Sequence, residues 1–202
     1  MLFRYNPERG ISYARFYAEY FRVPEELRLF FYDKSGSDCA NFCSQCVWAA
    51  YGGWIEGFDL KTVGENIKRI KETVRMMPPD WFGSVYFSGS NKWCRVVEFC
   101  EYALAPKTYG PKAVKVFEGE WRDLRPSIIQ EGDVIQLVVA SYAPYRYGHS
   151  LYVTKSGIIP SEVRICCHSY DRLDEPLSEF SNYPDEYRRL RVLRFLDTTF
   201  YK

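Results

Sequence analysis

Apolar residues in the first half of the chain recur at helical spacing. Aromatic positions between residues 6 and 20 fall on one face of a helix, and Asn6 followed by Pro7 is a helix-start signal. The same spacing predicts further helices, which we place at 24–31, at 39–50 before the stop signal Gly52-Gly53, near 64–76, and at 91–104 before Pro106.

The pattern changes to that of β-strands after residue 112. Short apolar segments are separated by Gly, Pro, Ser or Asp, and five of them are predicted strands: Ala113–Glu118, Val134–Val139, Ser150–Thr154, Val163–Cys167 and Arg191–Leu196. About five strands suit one antiparallel sheet. Helices followed by strands predict an α+β fold, with the helix at 39–50 packed on one face of the sheet.

The chain has 202 residues, which suits a single domain spanning 1–202. Within it, the tract 54–92 combines tryptophan with Gly and Pro, including Pro78-Pro79. We interpret this tract as an irregular insertion that covers the core or shapes a cleft.

Composition and charge narrow the expected partners and location. The net charge is +1 and no basic run is interleaved with aromatic residues, so nucleic acid is not expected as a partner. The chain has no apolar run approaching 18 residues and no signal-peptide pattern, so no membrane segment is expected. The compartment stays open: cytoplasmic as written, or exported by another route or from a longer precursor. The cysteines number seven and lack disulfide-framework spacing, which favours reduced thiols.

The stretch with the clearest chemical signal is 36–50, which reads as a glycine turn, an acidic cap and a helix. Asp38 is the predicted N-cap, so Cys39 falls at the first helical position, where the helix dipole favours a thiolate. A low thiol pKa, and hence a nucleophile, is predicted there. The competing interpretation is a core stripe, which accounts for Cys43 and Cys46 as buried residues.

Two metal sites are alternatives to a cysteine nucleophile. Cys39, Cys43 and Cys46 have the spacing of a radical enzyme's iron–sulfur site, but a helix would spread the three thiolates along its length. The two histidines and the cysteines could also bind zinc, although the cysteine spacing does not match a zinc finger. We therefore expect neither a metal nor an organic cofactor.

A cysteine nucleophile needs a base, and the chain contains only His149 and His168. His149 opens one predicted strand directly after Gly148, and His168 ends the next strand. A hairpin would make these strands neighbours, so that one imidazole could be oriented by a polar group on the other strand. The alternatives without catalysis are an ordinary strand-end residue for His149 and a surface or edge histidine bonded to Asp171 for His168.

Several blocks together resemble a known family. They are Tyr5-Asn6, Asp38-Cys39-x-Asn41-Phe42-x-Ser44-Gln45, Trp93, Gly132-Asp133-Val134, Gly148-His149-Ser150 and His168-Ser169-x-Asp171. These blocks are similar to the putative amidase domain family of the amidase_6 type, over nearly the whole chain. Through that family the chain also resembles the papain-like cysteine peptidases, among them cell-wall endopeptidases.

The resemblance implies a papain-like hydrolase of amide or peptide bonds without a cofactor, acting on a bacterial cell-wall stem peptide or a small peptide. It implies Cys39 as nucleophile, His149 as general base, and His168 as the residue that fixes the imidazole, with Asp171 as the alternative. The helix start at Asp38 and Cys39 would supply the oxyanion site.

Further residues near the nucleophile are candidates for lining the site or for holding the helix. Asn41, Ser44 and Gly148 are candidates for lining the site, and Gln45 is expected to tie the helix to a loop. The family usually has Thr and an aliphatic residue where this chain has Ala40 and Cys43. A non-catalytic peptide- or glycan-binding module on the same scaffold is the main alternative function.

Overall fold

The computed structural model describes residues 2–19, 23, 38–57, 59–72, 81–83 and 89–200. Its largest element is a six-stranded antiparallel sheet in the order β2-β7-β3-β4-β5-β6. The strands are β2 (Lys112–Gly119), β3 (Val134–Val139), β4 (Tyr147–Lys155), β5 (Arg164–Cys167), β6 (Arg172–Pro176) and β7 (Tyr187–Leu196). A small second sheet pairs β1 (Leu2–Phe3) with β8 (Thr198–Thr199). The α+β class is confirmed.

The sixth strand corrects the prediction of about five. Strand β6 has the sequence Arg172-Leu173-Asp174-Glu175-Pro176, which is charged, ends in proline and lacks an alternating apolar pattern. It lies at the edge of the sheet and pairs only with β5. Edge strands tolerate charge and proline because one side of their backbone needs no partner strand. Local composition therefore gave no strand signal here.

The described helices are α1 (Pro7–Tyr17), α2 (Cys39–Ala50), α3 (Leu60–Glu72), α4 (Asn91–Cys94), α5 (Val96–Leu104) and α6 (Ser178–Ser181). Helix α1 begins as predicted: the Asn6 side chain accepts a hydrogen bond of 3.0 Å from the Glu8 amide. Helix α2 ends before Gly52, which has a φ of +85°. The predicted helix at 24–31 and the end of the one near 64–76 lie outside the described residues.

The single helix predicted for 91–104 is wrong, because the chain breaks at Arg95. This residue is extended, with φ −118° and ψ 137°, and it ends α4 while preceding the first turn of α5. The apolar spacing continues through the break, so the sequence pattern alone did not reveal it. The break turns the segment across the start of α2, where it forms one wall of a cavity described below.

The two faces of the sheet are buried in different cores. The face covered by α1, α2 and α5, here called the helical face, carries Val134, Gln136, Ser150, Tyr152, Cys166, Arg191 and Leu193. The other face, here called the aliphatic face, carries Ile135, Leu137, Leu151, Val153, Ile165 and Val192, with Phe180 of α6 packed on it. Side chains alternate between these faces along each strand. The packing of α2 on one sheet face is thus confirmed. None of the helices among the described residues is long and apolar enough to cross a membrane.

Candidate active site

Cys39 opens helix α2 and lies at the edge of a cavity of about 300 Å³. One wall of this cavity is the broken segment 94–98, and the other consists of 142–143 and 146–148 from the β3–β4 connection. The thiol-bearing side chain is buried, with 5% of its surface exposed. Cys39 is therefore accessible to a small molecule in that cavity and is otherwise shielded from solvent.

The Cys39 sulfur lies against the backbone of strand β4. Its Sγ donates to the Gly148 carbonyl over 3.9 Å, and the backbone N–H groups of Ser150, Ala40 and Cys39 itself are directed at the sulfur. Burial raises the pKa of the thiol to about 11, although these three N–H groups act in the opposite direction. The low pKa predicted from the helix position is therefore wrong for this state of the protein, because desolvation outweighs the donors.

A glycine is required where the cavity wall meets this strand. A Cβ atom at Gly148 would lie 2.7 Å from the Cβ of Ala143 and 3.0 Å from the ring of Tyr142. The β3–β4 register shifts between the pairs Leu137↔His149 and Val138↔Tyr147, so Gly148 is the additional residue of a bulge. The bulge brings the strand backbone to the Cys39 sulfur and the connection to the cavity.

Asp38 precedes α2 as predicted, but its carboxylate does not cap the helix. One oxygen, Oδ2, lies 2.6 Å from Nδ1 of His168, and the other accepts 2.7 Å from the amide of Asn41. The predicted capping hydrogen bond is thus replaced by buried hydrogen bonds to the His168 imidazole and the Asn41 side chain. The reason is tertiary: the turn after β5 delivers an imidazole to the start of α2.

The Asp38 pair belongs to a chain of buried hydrogen bonds. Nε2 of His168 lies 2.7 Å from the Tyr17 carbonyl at the end of α1, and Asn41 accepts 2.7 Å from the indole N–H of Trp93 in α4. The Asp38 amide donates 3.0 Å to the hydroxyl of Ser169. Three helices and the turn after β5 are therefore joined at the residue before Cys39.

His149 lies on the aliphatic face of the sheet. It pairs in register with Leu137, and its ring centroid is 6.1 Å from that of Phe180. Burial, assisted by the positive charge of Arg172, lowers the pKa of His149 to about 4, so the ring is neutral near pH 7. Within the described part of the chain its ring has no hydrogen-bond partner.

The two histidines lie on neighbouring strands but on different sides of the sheet. The pairing of β4 with β5 confirms the predicted hairpin, yet His168 contacts Asp38, Tyr17 and the ring of Phe42 on the helical side. Its two ring nitrogens are both occupied by these partners. The structure thus brings His168 to the turn of Cys39 and does not bring it to His149.

Asp171 lies in the turn before β6, near the residues that surround His149. Burial raises the pKa of the Cys167 thiol; the charges of Cys39 and Asp171 act in the same direction, and that of Arg172 acts in the opposite direction. Arg172 also acts on His149. Cys167 belongs to the aliphatic face, on which His149 also lies, so the charge of Asp171 acts on a residue of that face.

The other predicted polar residues hold elements together. Ser44 donates 2.8 Å to the Trp93 carbonyl, and Gln45 accepts from the Tyr13 hydroxyl of α1. Asn41 is bonded as described above, and of the three candidates for lining the site only Gly148 borders the cavity. Cys43 and Cys46 are fully buried in the core of the helical face. Across the described ranges, no group of three His, Cys, Asp or Glu side chains is arranged to hold a metal ion.

Sequence reasoning missed a row of polar residues that runs across the helical face to the cavity wall. Arg191 donates 2.8 Å to Gln136, which donates 3.2 Å to Ser150 and 3.0 Å to the Val96 carbonyl. The Arg191 guanidinium also lies 3.9 Å from the ring centroid of Tyr147. The sequence did contain a signal for this row, because Gln136, Ser150 and Arg191 are polar residues at inward-facing positions of otherwise apolar strands.

A family model described as "Putative amidase domain" matches residues 4–191. The chain belongs to this family, Amidase_6. Membership in Amidase_6 indicates a hydrolase of amide bonds, and the match includes Cys39 and both histidines. Comparison with curated proteins and with solved structures found no match.

Proposed function

We propose that this Amidase_6 domain is a cysteine-dependent hydrolase of amide or peptide bonds, with Cys39 as its nucleophile. One observation carries the proposal: the Cys39 thiol borders a 300 Å³ cavity at a helix start, with three backbone N–H groups directed at the sulfur. Those donors favour the thiolate and, beside it, the oxyanion of a tetrahedral intermediate. A helix-start cysteine packed on an antiparallel sheet also supports a papain-like fold.

The proposed reaction begins with proton transfer from the Cys39 thiol to the neutral imidazole of His149. The thiolate attacks the amide carbonyl, and the carbonyl oxygen gains the negative charge while it is held by backbone N–H groups. The imidazolium then donates its proton to the leaving amine, which leaves an acyl-enzyme thioester. Water, deprotonated by the same imidazole, attacks the thioester and releases the acid and the free thiol.

The proposal requires the His149 ring to reach the Cys39 sulfur, directly or through one water. Both neighbours of His149 in the chain, Gly148 and Ser150, present backbone groups to that sulfur. The imidazole itself packs on the aliphatic face and is not hydrogen-bonded to another described group, so it can change rotamer without breaking a hydrogen bond. Substrate in the cavity would then stabilise the reactive arrangement.

Asp171 fits the third position better than His168. The two partners of His168, Asp38 and Tyr17, are on the helical side of the sheet. Asp171 instead adds to the effect of burial in raising the pKa of Cys167, as Cys39 does, and Cys167 packs on the aliphatic face. A carboxylate on that side would stabilise an imidazolium at His149 during turnover. The proposed triad is therefore Cys39, His149 and Asp171.

The cavity suits a polar acyl or amine group. Its walls carry Arg95, Glu98 and Arg146 beside apolar Val96 and Val97. Such a mixture is compatible with a peptide substrate, of which the stem peptide of bacterial cell wall is our preferred example. Analogy with papain-like enzymes supports the choice of stem peptide, and the lining of the cavity supports the broader class of peptide substrates.

The competing function is a binding module that has lost catalysis. The raised pKa of Cys39 and the position of the His149 ring on the aliphatic face favour it, because neither describes an activated pair. In this case the cavity would hold a peptide or glycan without cleaving it.

The test is alkylation of Cys39 by iodoacetamide across pH, quantified by peptide mass spectrometry, followed by hydrolysis assays on stem-peptide fragments. The hydrolase proposal expects Cys39, which borders the cavity, to react faster than buried Cys43, and it expects stem-peptide fragments to be hydrolysed at pH 7. It also expects His149→Ala to abolish that hydrolysis. Equal rates for Cys39 and Cys43, or a His149→Ala protein indistinguishable from wild type, would favour the binding module.

A further inference from the structure

His168 is buried between two hydrogen-bond acceptors. Its Nδ1 lies 2.6 Å from a carboxylate oxygen of Asp38, and its Nε2 lies 2.7 Å from the Tyr17 carbonyl. The side chains of His168 and Asp38 are only 5% and 7% exposed. Because a carbonyl only accepts, Nε2 donates to Tyr17, and the 2.6 Å contact between Nδ1 and the carboxyl oxygen holds one further proton, so the Asp38–His168 pair as a whole is neutral.

The turn that presents this imidazole has an unusual backbone. Ser169 and Tyr170 follow His168 with φ values of 71° and 107°, a region that non-glycine residues rarely adopt. The Ser169 hydroxyl accepts the Asp38 amide hydrogen, so the strained turn is bonded to the same residue as the imidazole. Backbone strain that is retained beside a candidate nucleophile indicates a constraint on position.

Besides burial, the negative charge of Asp38 raises the pKa of the neighbouring Cys39 thiol. The Asp38 carboxylate opposes ionisation of the Cys39 thiol, as two negative charges would then lie on adjacent residues. Other titratable or charged groups near the thiol are Cys43 on α2, Cys94, Arg95 and Glu98 at the α4–α5 break, Arg146 before β4, Tyr147 at the start of β4, and Cys167 on β5. Asp38 differs from these groups because its carboxyl group is hydrogen-bonded to a buried imidazole, that of His168.

We propose that His168 is a positioning residue for the Cys39 nucleophile: it neutralises Asp38 and fixes the turn before α2, and it does not orient His149. This role rests on the proposed function of Cys39. The ring holds the turn from one side through Asp38 and Tyr17, and Asn41 with Trp93 holds the carboxylate from the other. The Asp-Cys-x-Asn and His-Ser blocks of the sequence thus form one buried hydrogen-bond network.

The proposal is tested by the pH profile of Cys39 alkylation with iodoacetamide in His168→Gln, Asp38→Asn and the double variant. In His168→Gln the carboxylate loses its neutralising partner, so we expect the midpoint to rise by about one pH unit and the rate at pH 8 to fall about tenfold. Asp38→Asn leaves no carboxylate and a neutral imidazole, so its midpoint should stay near that of wild type. The double variant should behave like Asp38→Asn.

A matched control is Arg194→Gln. This change also removes the cation from a buried carboxylate, since Arg194 donates 2.8 and 3.0 Å to Asp133 at the far end of the β3–β4 pair. It should lower the urea midpoint of unfolding without moving the alkylation profile. That result separates an electrostatic effect on Cys39 from a general loss of stability.

Three results would overturn the proposal. They are an unchanged midpoint in His168→Gln, equal shifts in His168→Gln and Asp38→Asn, and a shifted midpoint in the double variant. The double variant carries the test if His168→Gln does not fold by circular dichroism, because it contains no unpaired buried charge. Alkylation needs no substrate, so the expected profiles combined with absence of hydrolysis would overturn the proposed function and leave the His168 role standing.

Discussion

The two faces of the central sheet bury the same strands with different chemistry. The aliphatic face is packed by residues such as Ile135, Leu151 and Val192, which need no hydrogen bonds. The helical face buries Gln136, Ser150 and Arg191 among its apolar residues, and their side chains are hydrogen-bonded to one another. The first face supplies burial energy, while the second also maintains a polar arrangement beside a cavity.

The difference shows how one strand can serve both purposes. Along β4, Gly148 and Ser150 present backbone groups to Cys39, whereas Leu151 and the His149 ring pack on the other side. Alternation of side chains makes this division possible. Substitutions of the apolar residues on the aliphatic face should therefore change stability, and substitutions near Cys39 should change reactivity.

The largest expected effect separates two cysteines of one helix. Cys39→Ala removes the proposed nucleophile, so hydrolysis should fall at least about 10⁴-fold while the free energy of unfolding changes by about 1 kcal/mol or less. Cys43→Ala, a fully buried control on α2, should lower stability and retain activity. Hydrolysis rates and urea titrations check both. Full activity in Cys39→Ala would refute the role of this thiol.

Neighbouring residues of β4 test the two faces directly. Leu151→Ala leaves a void in the aliphatic face and should destabilise the protein by about 2–5 kcal/mol. Ser150→Ala removes one donor-acceptor group opposite Gln136 and should cost about 1–2 kcal/mol. Urea unfolding of both variants measures the comparison. Equal losses would mean that the polar row supports the fold as strongly as the apolar core does.

The burial of His149 predicts a dependence of stability on pH. Its pKa in the folded protein is about 4 against an ordinary value of 6.5, so the unfolded chain binds a proton first as the pH falls below 6.5. Wild type should lose about 1–3 kcal/mol relative to His149→Leu between pH 7.5 and pH 4.5. Urea titrations at both values test this. A constant difference between the two proteins would show that the imidazole is not desolvated.

The smallest expected effect concerns the hydrogen bond at the far end of the Asp38 network. Trp93→Phe leaves the Asn41 oxygen without the indole N–H that now donates over 2.7 Å, and should cost about 1–2 kcal/mol more than Trp48→Phe. Trp48 is the control because it is equally buried and its indole nitrogen has no hydrogen-bond partner among the described residues. Equal losses in urea unfolding would mean that this bond contributes nothing measurable.

Local sequence signals accounted for the elements that depend on local chemistry. The Asn6-Pro7 start of α1, the glycine stop of α2 and the strand Val134–Val139 were predicted because caps, turns and apolar runs act within a few residues. The break at Arg95 and the charged edge strand β6 were not predicted. Both depend on neighbours distant in sequence, which decide the backbone where local preference is weak.

The sequence by itself determined which groups the candidate site could contain: one helix-start cysteine, an acidic residue before it and two histidines on successive strands. Only the tertiary structure decided what those groups do. The side of the sheet that a strand residue faces depends on register and bulges, so His149 and His168 separated although their strands pair. The sequence predicted a lowered pKa for Cys39, whereas burial in the folded protein raises it. Desolvation depends on all the elements that surround the thiol, which the helix pattern of Cys39 does not reveal.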